Sequence, residues 1–356
     1  MEDSSHPTVA SKACAPPAEP RQSKVRKVLR ILLIVLVILP VLVLIGLWSA
    51  LAIHFSNLPS QGFRTALAWV FVLGFGTAFA FINNRRRTAL YLMAAFGIVL
   101  ALWLMKLPSH DRDWDPFVAV LPSATIAGDL VTVRNIRNFE YRTAEDFTPR
   151  YYDKTFDLRE IRTVDFIMAY WGPGEAITHT MLSFGFNGGE YLTVSVEIRP
   201  ERGEPYTALG GLFKKYELIH ILGDERDLIR LRTNFRNERV YLYPTRSPPE
   251  DVRTLFLDII GRINEIAANP EFYNTLAQNC FTSLAPSIRK IRPPRPFDIR
   301  LLLNGYIDRM GYENGWIDSD DSFEVTRKRH HINQYVEGKP YAPNFSQLIR
   351  PHLANR

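Results

Sequence analysis

The stretch ITHTMLSFGFNGGEYLTVSVEIR, residues 177–199, carries the pattern that organises the second part of this chain. Two runs rich in apolar and β-branched residues flank Asn187-Gly188-Gly189, which is typical of a β-hairpin. A turn centred on Gly188 predicts that His179 faces Glu197 across the strand pair. One face of the hairpin is then mostly polar and comprises His179, Met181, Ser183, Thr193, Ser195 and Glu197. The other face is apolar, so the hairpin is expected to cover a core.

A carboxylate opposite an imidazole can fix the tautomer of the ring and stabilise its protonated form. Two alternatives remain open from the hairpin alone. The polar face could be solvated and carry an ordinary histidine, and a register slip of one residue would remove Glu197 from His179.

The chain has two cysteines, Cys14 and Cys280, and the second lies in PEFYNTLAQNCFTSLAP, residues 270–286. Apolar residues at helical spacing predict an amphipathic helix over residues 251–268. A shorter helical run over residues 281–290 is expected after Cys280. A cysteine at a helix N-terminus meets unpaired backbone N–H groups, which favour the reactive thiolate. The alternative role of Cys280 is that of a small buried apolar residue.

Three apolar stretches without charged residues precede this region, at residues 31–53, 65–84 and 88–105. Each has about the 20 residues that a helix needs to cross a bilayer. We therefore expect a three-helix membrane anchor over residues 24–106. Residues 1–23 are polar and Pro-rich and are expected to be a disordered cytoplasmic tail. Residues 107–356 are expected to form one extracytoplasmic domain.

Basic residues before the first stretch and in the Arg85-Arg86-Arg87 loop predict the orientation. Short basic segments stay in the cytoplasm, and these two are separated by two spans and therefore share a side. Three spans then place residues 107–356 outside the cytoplasm. In a bacterium this is a multi-pass inner-membrane protein with a periplasmic domain. Cys14 and Cys280 would lie on opposite sides, which leaves Cys280 as a lone thiol in an oxidising compartment.

The charge pattern and the absence of known binding motifs exclude several classes of partner. The net charge is +6, but no basic stripe is interleaved with aromatic residues as in nucleic-acid-binding proteins. The sequence has neither a Walker loop nor a dinucleotide fingerprint, so no nucleotide or cofactor is expected. Asp318, Asp320 and Asp321 lack the spacing of a calcium loop, and no metal site is expected. The expected partner is membrane lipid.

Several short motifs follow one another along the domain: Arg137-Asn138-Phe139, Tyr141-Arg142-Thr143, His179-Thr180, Val194-Ser195-Val196-Glu197-Ile198-Arg199, Lys215-Tyr216-Glu217-Leu218, Asp224-Glu225-Arg226-Asp227, Tyr273-Asn274, Asn279-Cys280, Gly305-Tyr306-Ile307-Asp308 and Phe345-Ser346-Gln347-Leu348-Ile349-Arg350. In this order, over residues 131–350, they resemble the Lnb N-terminal periplasmic domain family. The resemblance implies an α+β fold, namely a circularly permuted papain-like cysteine domain with an antiparallel sheet plus helices. Its namesakes are bacterial lipoprotein N-acyltransferases. This chain differs from them in having its membrane spans before the domain, and in Phe281 directly after the cysteine.

The resemblance matches Cys280 to the nucleophile of the Asn-Cys motif and His179 to the base of the His-Thr motif. Glu197 is expected to orient His179, on the hairpin geometry given above. Three further residues are expected to support the site: Asn279, Tyr273 and Ser183. Of these, Asn279 is the expected side-chain donor to the oxyanion, together with the backbone N–H of Cys280.

The expected function is that of a membrane-anchored periplasmic thiol acyltransferase with an acyl-enzyme on Cys280, acting on lipoproteins or lipid-derived acyl groups. One alternative is a papain-like amidase or peptidase of the cell envelope, which would use water as acceptor. The other is a non-catalytic, membrane-anchored binding module. An apolar groove at Cys280 would favour the transferase and an open polar groove the hydrolase. A separation of Cys280 from His179 too long for proton transfer would favour the binding module.

Overall fold

The computed structural model describes residues 21–58, 60–81, 84–172, 174–292, 298–301 and 303–351. Residues 1–20 of the predicted disordered tail lie outside the described residues. The chain divides into two compact units. The first is Met1–His54 with Leu58–Trp103, and the second is Phe55–Asn57 with Leu104–Arg356.

The first unit contains the helices α1 (Arg21–Leu33), which is basic, and α2 (Leu39–His54), α3 (Gln61–Phe81) and α4 (Arg85–Met105), which are mostly apolar. A π-helical segment, Ile34–Ile38, joins α1 to α2, and Pro40, which lacks a backbone N–H, lies two residues after its end. Three helices are long and apolar enough to cross a membrane: Val25–His54, Gln61–Phe81 and Arg86–Met105. The prediction of three apolar N-terminal helices is therefore confirmed.

The second unit contains ten described strands: β1 (Ser123–Ala127), β2 (Leu130–Arg137), β3 (Glu140–Tyr141), β4 (Phe147–Thr148), β5 (Tyr151–Asp157), β6 (Ile161–Tyr170), β7 (His179–Phe186), β8 (Glu190–Arg199), β9 (Glu217–Gly223) and β10 (Arg239–Pro244). Eight of them form one sheet in the order β1-β2-β9-β8-β7-β6-β10, with β5 paired to β2. The strands β3 and β4 pair with each other. The sheet is mixed rather than purely antiparallel as predicted, because β2 meets β9 in parallel at Arg137 and Gly223.

Short helices follow the strands: α5 (Ala208–Leu212), α6 (Glu225–Arg230), α8 (Ala285–Ile291), α9 (Ile307–Glu313), α10 (Phe323–Arg329), α11 (Asn333–Val336) and α12 (Phe345–Leu348). The longest helix of this unit is α7 (Pro249–Ala268). Single 3₁₀ turns lie at Leu158–Glu160, Asn187–Gly189, Ile299–Leu301 and Asn304–Tyr306, and a π-helical segment at Leu231–Phe235. The unit is therefore of the α+β class, as predicted.

The amphipathic helix predicted over residues 251–268 is confirmed by α7. All the apolar residues that define its stripe are buried: Val252, Leu255, Phe256, Ile259, Ile260, Ile263 and Ile266. Pro249 occupies the first turn, where its missing N–H costs no helical hydrogen bond. Each side chain removed from water contributes about 1.5–3 kcal/mol, which fixes α7 on the sheet.

The predicted hairpin is confirmed in its register. Ser183 pairs with Thr193, and Gly188 adopts a φ of 79° in the turn, a left-handed conformation that suits glycine. One face packs on α7 in the main core. The other face is also buried, because Met181 joins a second core with Ile332 and Phe345 near the C-terminus. The alternative of a solvated polar face is therefore wrong.

Candidate active site

Cys280 lies in a helical turn over residues 279–284 that leads into α8. We predicted that the helix would start at residue 281, but α8 begins only at Ala285. Pro286 explains the difference, since proline fits the first turn of a helix and lacks the N–H that an interior position needs. The backbone still turns tightly before it, with Ser283 N donating to Asn279 O at 3.0 Å.

Asn279 caps this turn. Its Oδ1 accepts hydrogen bonds from the backbone N–H groups of Phe281 at 3.0 Å and Thr282 at 2.9 Å, and Thr282 Oγ1 accepts from Asn279 N at 2.8 Å. This reciprocal pattern is that of a capping box. Asn279 Nδ2 donates to Thr275 O at 3.1 Å. Asn279 thus holds the backbone that presents Cys280, which corrects its expected role as an oxyanion donor.

The thiol of Cys280 is nearly enclosed, with the residue 8% exposed. Its Sγ lies 3.6 Å from the carbonyl oxygen of Thr178 and 3.4 Å from Nδ2 of Asn304. Asn304 is itself fixed by Thr178, because its Nδ2 donates to Thr178 O at 2.8 Å and its Oδ1 accepts from Thr178 N at 3.0 Å. The sulfur therefore sits between a carbonyl at the start of β7 and a rigidly held amide.

His179, the first residue of β7, follows directly after Thr178, whose carbonyl oxygen lies 3.6 Å from the Cys280 sulfur, and the imidazole and the thiol are close enough to shift each other's pKa. On its other side, Nε2 lies 2.7 Å from Ser195 Oγ and 3.1 Å from Glu197 Oε1. Ser195 Oγ donates its proton to Glu197 Oε1 at 2.6 Å. Nε2 must therefore carry a proton of its own, and Nδ1 is the ring nitrogen that remains for the thiol.

Glu197 is shared between His179 and a second cation. Arg232 Nη2 donates to Glu197 Oε1 at 2.9 Å, and Arg232 Nη1 donates to Glu238 Oε2 at 3.1 Å. Burial alone would raise the pKa of Glu197, but His179, Arg232 and the Ser195 hydroxyl outweigh burial and lower it far below its usual range. The carboxylate is thus charged at neutral pH.

The charges in the site favour a thiolate beside an imidazolium. Burial and Arg232 oppose protonation of His179, but Glu197 and Cys280 outweigh them and raise the pKa of His179 to about 9. Burial would raise the pKa of the Cys280 thiol, yet the hydrogen bond and charge of His179 lower it below its ordinary value. A thiolate with a protonated histidine beside it is an activated nucleophile.

The other two predicted support residues have different positions. Tyr273 is buried close to Cys280, and its hydroxyl shares a hydrogen bond with that of Tyr206. Ser183 lies four residues along β7 from His179, about 13 Å away at strand spacing. Its hydroxyl donates to Glu225 Oε1 at 2.5 Å in a separate buried network. Ser183 therefore does not belong to the site.

Sequence reasoning missed the roles of Asn304 and Ser195 in this arrangement. Asn304 follows Cys280 by 24 residues, and no periodic pattern links it to the site. Arg232 was expected, as an alternative to Arg199, to be a structural ion-pair partner of Glu197, and it is Arg232 that makes this pair. Ser195 could have been found, because strand alternation places it between His179 and Glu197 on the polar face. Within the described residues, no group of three His, Cys, Asp or Glu side chains is placed to hold a metal ion.

Comparison with known proteins gives one match. The model of the Lnb N-terminal periplasmic domain matches residues 147–305, a span that includes His179, Glu197, Cys280 and Asn304. Neither a curated protein nor a solved structure matches the chain. The family resemblance expected from the motifs is confirmed, since residues 147–305 match the model of the Lnb N-terminal periplasmic domain.

Proposed function

We propose that this protein is a membrane-anchored cysteine acyltransferase that forms an acyl-enzyme on Cys280. The observation that carries the proposal is the arrangement of Cys280, His179 and Glu197, in which His179 lowers the pKa of the thiol although burial would raise it. A cysteine kept only for packing needs no imidazole in contact with its sulfur. The same contact argues against a non-catalytic binding module, which has no use for proton transfer.

The first half-reaction begins with the thiolate of Cys280. It attacks the carbonyl carbon of an ester, and the new carbon–sulfur bond forms as the carbonyl becomes an oxyanion. When the oxyanion collapses, the ester carbon–oxygen bond breaks. Protonated His179 then gives its Nδ1 proton to the leaving alkoxide, and the acyl group remains on Cys280 as a thioester.

Two donors are placed to stabilise the oxyanion. Asn304 Nδ2 lies 3.4 Å from the sulfur and is held by Thr178 on both ends of its amide. The backbone N–H of Cys280 is the second donor, since Asn279 Oδ1 takes the next two N–H groups of the turn. Donors that are fixed before the reaction stabilise developing charge without reorganisation.

The second half-reaction transfers the acyl group to an amine. Neutral His179 accepts a proton from the attacking amine, the carbon–nitrogen bond forms, and the carbon–sulfur bond breaks to return the thiolate. Glu197 stays charged throughout and stabilises the imidazolium that forms in each half. A hydrolase of the same site would use water in this step.

The proposal includes the fold relationship and the location. A histidine strand that precedes a cysteine turn and helix has the order expected of a circularly permuted papain-like domain. The basic N-terminal segment and three apolar helices support an inner-membrane protein with a cytoplasmic N-terminus and a periplasmic domain. A reporter active only outside the cytoplasm should be active when fused after Arg356 and silent when fused at Arg86. The reverse pattern would overturn the location.

Exposed apolar side chains on segments that adjoin the site favour lipid-derived acyl groups over polar peptides. We call them the apolar rim, and they are Trp171, Ile177, Tyr206, Leu209, Leu276 and Leu303. All six are between 41% and 57% exposed. A polar cell-wall peptide has little to gain from such a surface, whereas an acyl chain is stabilised by it.

The test is the mass of the intact protein after incubation with phospholipid vesicles. The full chain should gain the mass of one acyl group, and hydroxylamine, which cleaves thioesters, should remove it. Cys280→Ala should abolish the adduct, while Cys14→Ser, the matched change at the other cysteine, should leave it intact.

A peptide with a free α-amine then separates transferase from hydrolase. The transferase predicts an N-acylated peptide, and the hydrolase predicts free fatty acid alone. An adduct that persists in Cys280→Ala, or the lack of any adduct with phospholipid or lipoprotein donors, would overturn the proposal.

A further inference from the structure

The members of the apolar rim come from separate segments of the chain, and several of them adjoin residues of the site. Ile177 precedes Thr178, whose carbonyl contacts Cys280 Sγ, and Leu303 precedes Asn304. Tyr206 hydrogen-bonds to Tyr273 next to the thiol, and the ring of Trp171 meets Tyr206 edge-on at 6.3 Å. Exposed apolar side chains thus adjoin, in sequence or by contact, the residues that surround the nucleophile.

The helix α5 links this rim to the chain segments that adjoin the membrane spans. Leu209 lies on α5, and the carbonyl of Ala208 accepts a hydrogen bond from Thr275 Oγ1 at 2.7 Å, beside the rim residue Leu276. Gly211 packs so tightly that a Cβ there would lie 3.2 Å from the ring of Tyr273. The helix therefore forms a wall of the site.

The next residues contact segments that leave the predicted spans. Phe213, directly after α5, stacks on Phe55 with ring centroids 5.8 Å apart. Phe55 immediately follows His54, the last residue of the first candidate span. Lys106, which follows the end of the third span at Met105, donates to Phe55 O at 3.3 Å. Phe55–Asn57 and the chain from Leu104 onward belong to the same compact unit.

Lysines add charge at this place. Lys106 and Lys214 each lie 5.6 Å from the ring centroid of Phe272, the neighbour of Tyr273, and Lys215 lies 6.0 Å from that of Phe55. Cations at a membrane surface attract anionic lipid headgroups, while aromatic and aliphatic side chains prefer the layer beneath. The two kinds of side chain lie next to each other on this end of the domain.

We propose that the apolar rim inserts into the bilayer to which the protein is anchored, so that the opening at Cys280 faces lipid rather than water. The occupant of the rim is the outer layer of the protein's own membrane. The placement of the rim rests on its own contacts. Its use for delivering acyl donors rests on the function proposed above.

The experiment measures the depth of spin labels in the full chain, reconstituted in nanodiscs of phosphatidylethanolamine and phosphatidylglycerol. Labels are attached at Leu209→Cys and Leu276→Cys in a Cys14→Ser, Cys280→Ser background. The matched control is Ile126→Cys on β1, which is 46% exposed and outside the rim. Rim labels should collide with oxygen several-fold more, and with a water-soluble nickel chelate several-fold less, than the control label.

Two results would overturn the proposal. Rim labels as accessible to the nickel chelate as the Ile126 label would place the rim in water. Rim labels shielded from both reagents would mean that protein rather than lipid covers the rim. Because Cys280 is absent, neither readout depends on the chemistry of the site, so failure of the proposed function would leave this result unchanged.

A second measurement links the surface to the reaction. Leu276→Asp, with Cys280 present, should slow acylation by bilayer phospholipid several-fold while alkylation of Cys280 by iodoacetamide stays unchanged. Ile126→Asp should change neither rate. Equal acylation rates in wild type and Leu276→Asp would refute insertion of the rim during the reaction.

Discussion

The two ends of the β7–β8 hairpin carry similar buried polar networks with different consequences. At the open end, Ser195 donates to Glu197, which also pairs with Arg232. Near the turn, Ser183 donates to Glu225, which also pairs with Arg350. Each network joins a serine, a glutamate and an arginine. Of the two networks, the one at the open end also includes His179 beside the thiol of Cys280. A proton can therefore pass between the imidazole and the thiol.

The network near the turn is closed. Arg350 donates to Glu225 Oε2 and to Asp165 Oδ2, each at 2.8 Å, and its guanidinium lies 3.6 Å from the ring centroid of Tyr191. All three charged groups are almost fully buried. Arg350 keeps its proton, so this network cannot pass one on. The comparison indicates that a buried ion network stabilises the fold when its charges are fixed and becomes a reaction site when one of them can be exchanged.

The largest expected effect is at the open end. Cys280→Ala and His179→Ala should each reduce acyl-enzyme formation by about a thousandfold or more, because nucleophile and base act as a unit. Intact-mass kinetics measure the rate, and circular dichroism checks that the domain stays folded. The double variant should be hardly slower than either single variant, and multiplicative losses would separate the two residues.

Substitutions in the network near the turn should instead lower the stability of the fold. Arg350→Met leaves Glu225 and Asp165 buried without their cation, which should cost about 3–5 kcal/mol. Thermal unfolding of the detergent-solubilised chain should show a clearly lower Tm. The pH profile of Cys280 alkylation should not shift, and a shift would mean that the two networks are coupled along the hairpin.

Matched glutamate changes test the two ends against each other. Glu197→Gln removes the charge that holds the pKa of His179 at about 9, so that pKa should fall and the pKa of Cys280 should rise. Acylation should slow roughly ten- to a thousandfold. The midpoint of iodoacetamide alkylation should move to higher pH in a Cys14→Ser background. Glu225→Gln should lower the Tm and leave that midpoint in place.

The pKa of His179 also fixes a window for stability. Its folded pKa of about 9 exceeds the ordinary value of 6.5, so its contribution is complete below about pH 6.5. The contribution is lost as the pH rises through 9. A Glu197→Gln variant with an unshifted alkylation midpoint and reduced stability would make Glu197 a partner of Arg232 only.

Local patterns predicted the parts of the fold and of the site that depend on neighbouring residues. Apolar residues spaced at the helical period of 3.6 predicted the buried face of α7. The alternation of polar and apolar residues on either side of Gly188 predicted the strand register that brings Glu197 to His179. Asn279 was expected to act on the oxyanion because it directly precedes Cys280. The Asn-x-x-Thr spacing to Thr282 is that of a capping box, and it predicts the hydrogen bonds that Asn279 makes. Alternation placed Ser183 on the correct face but at the wrong end of the strand.

The pairing of segments that are far apart in the sequence could not be predicted from local patterns. The strand β9 lies between β2 and β8, and this order depends on contacts between distant segments. Asn304 reaches Cys280 because the chain after α8 returns to the start of β7, and no local signal marks that return. The permuted papain-like relationship stays a prediction for the same reason, since it concerns the order of whole elements.

The smallest effects are expected from substitutions of Ser195 and Ser183. Each serine donates to a buried glutamate, but Glu197 pairs with His179, whereas Glu225 pairs with Arg350. Ser195→Ala removes a hydrogen bond of 2.6 Å to Glu197 and one of 2.7 Å to His179 Nε2, while the 3.1 Å contact between His179 and Glu197 remains. The imidazolium is then held less firmly, so alkylation of Cys280 should slow a few-fold, with a small rise of its midpoint pH. Ser183→Ala removes the bond to Glu225 and should cost about 1.5–3 kcal/mol, as for other hydrogen bonds to charged groups. It should leave alkylation unchanged, because the partners described for Glu225 are Ser183 and Arg350 rather than His179 or Cys280. Equal shifts in both variants would show that alkylation reports the rigidity of the hairpin rather than the charge on His179.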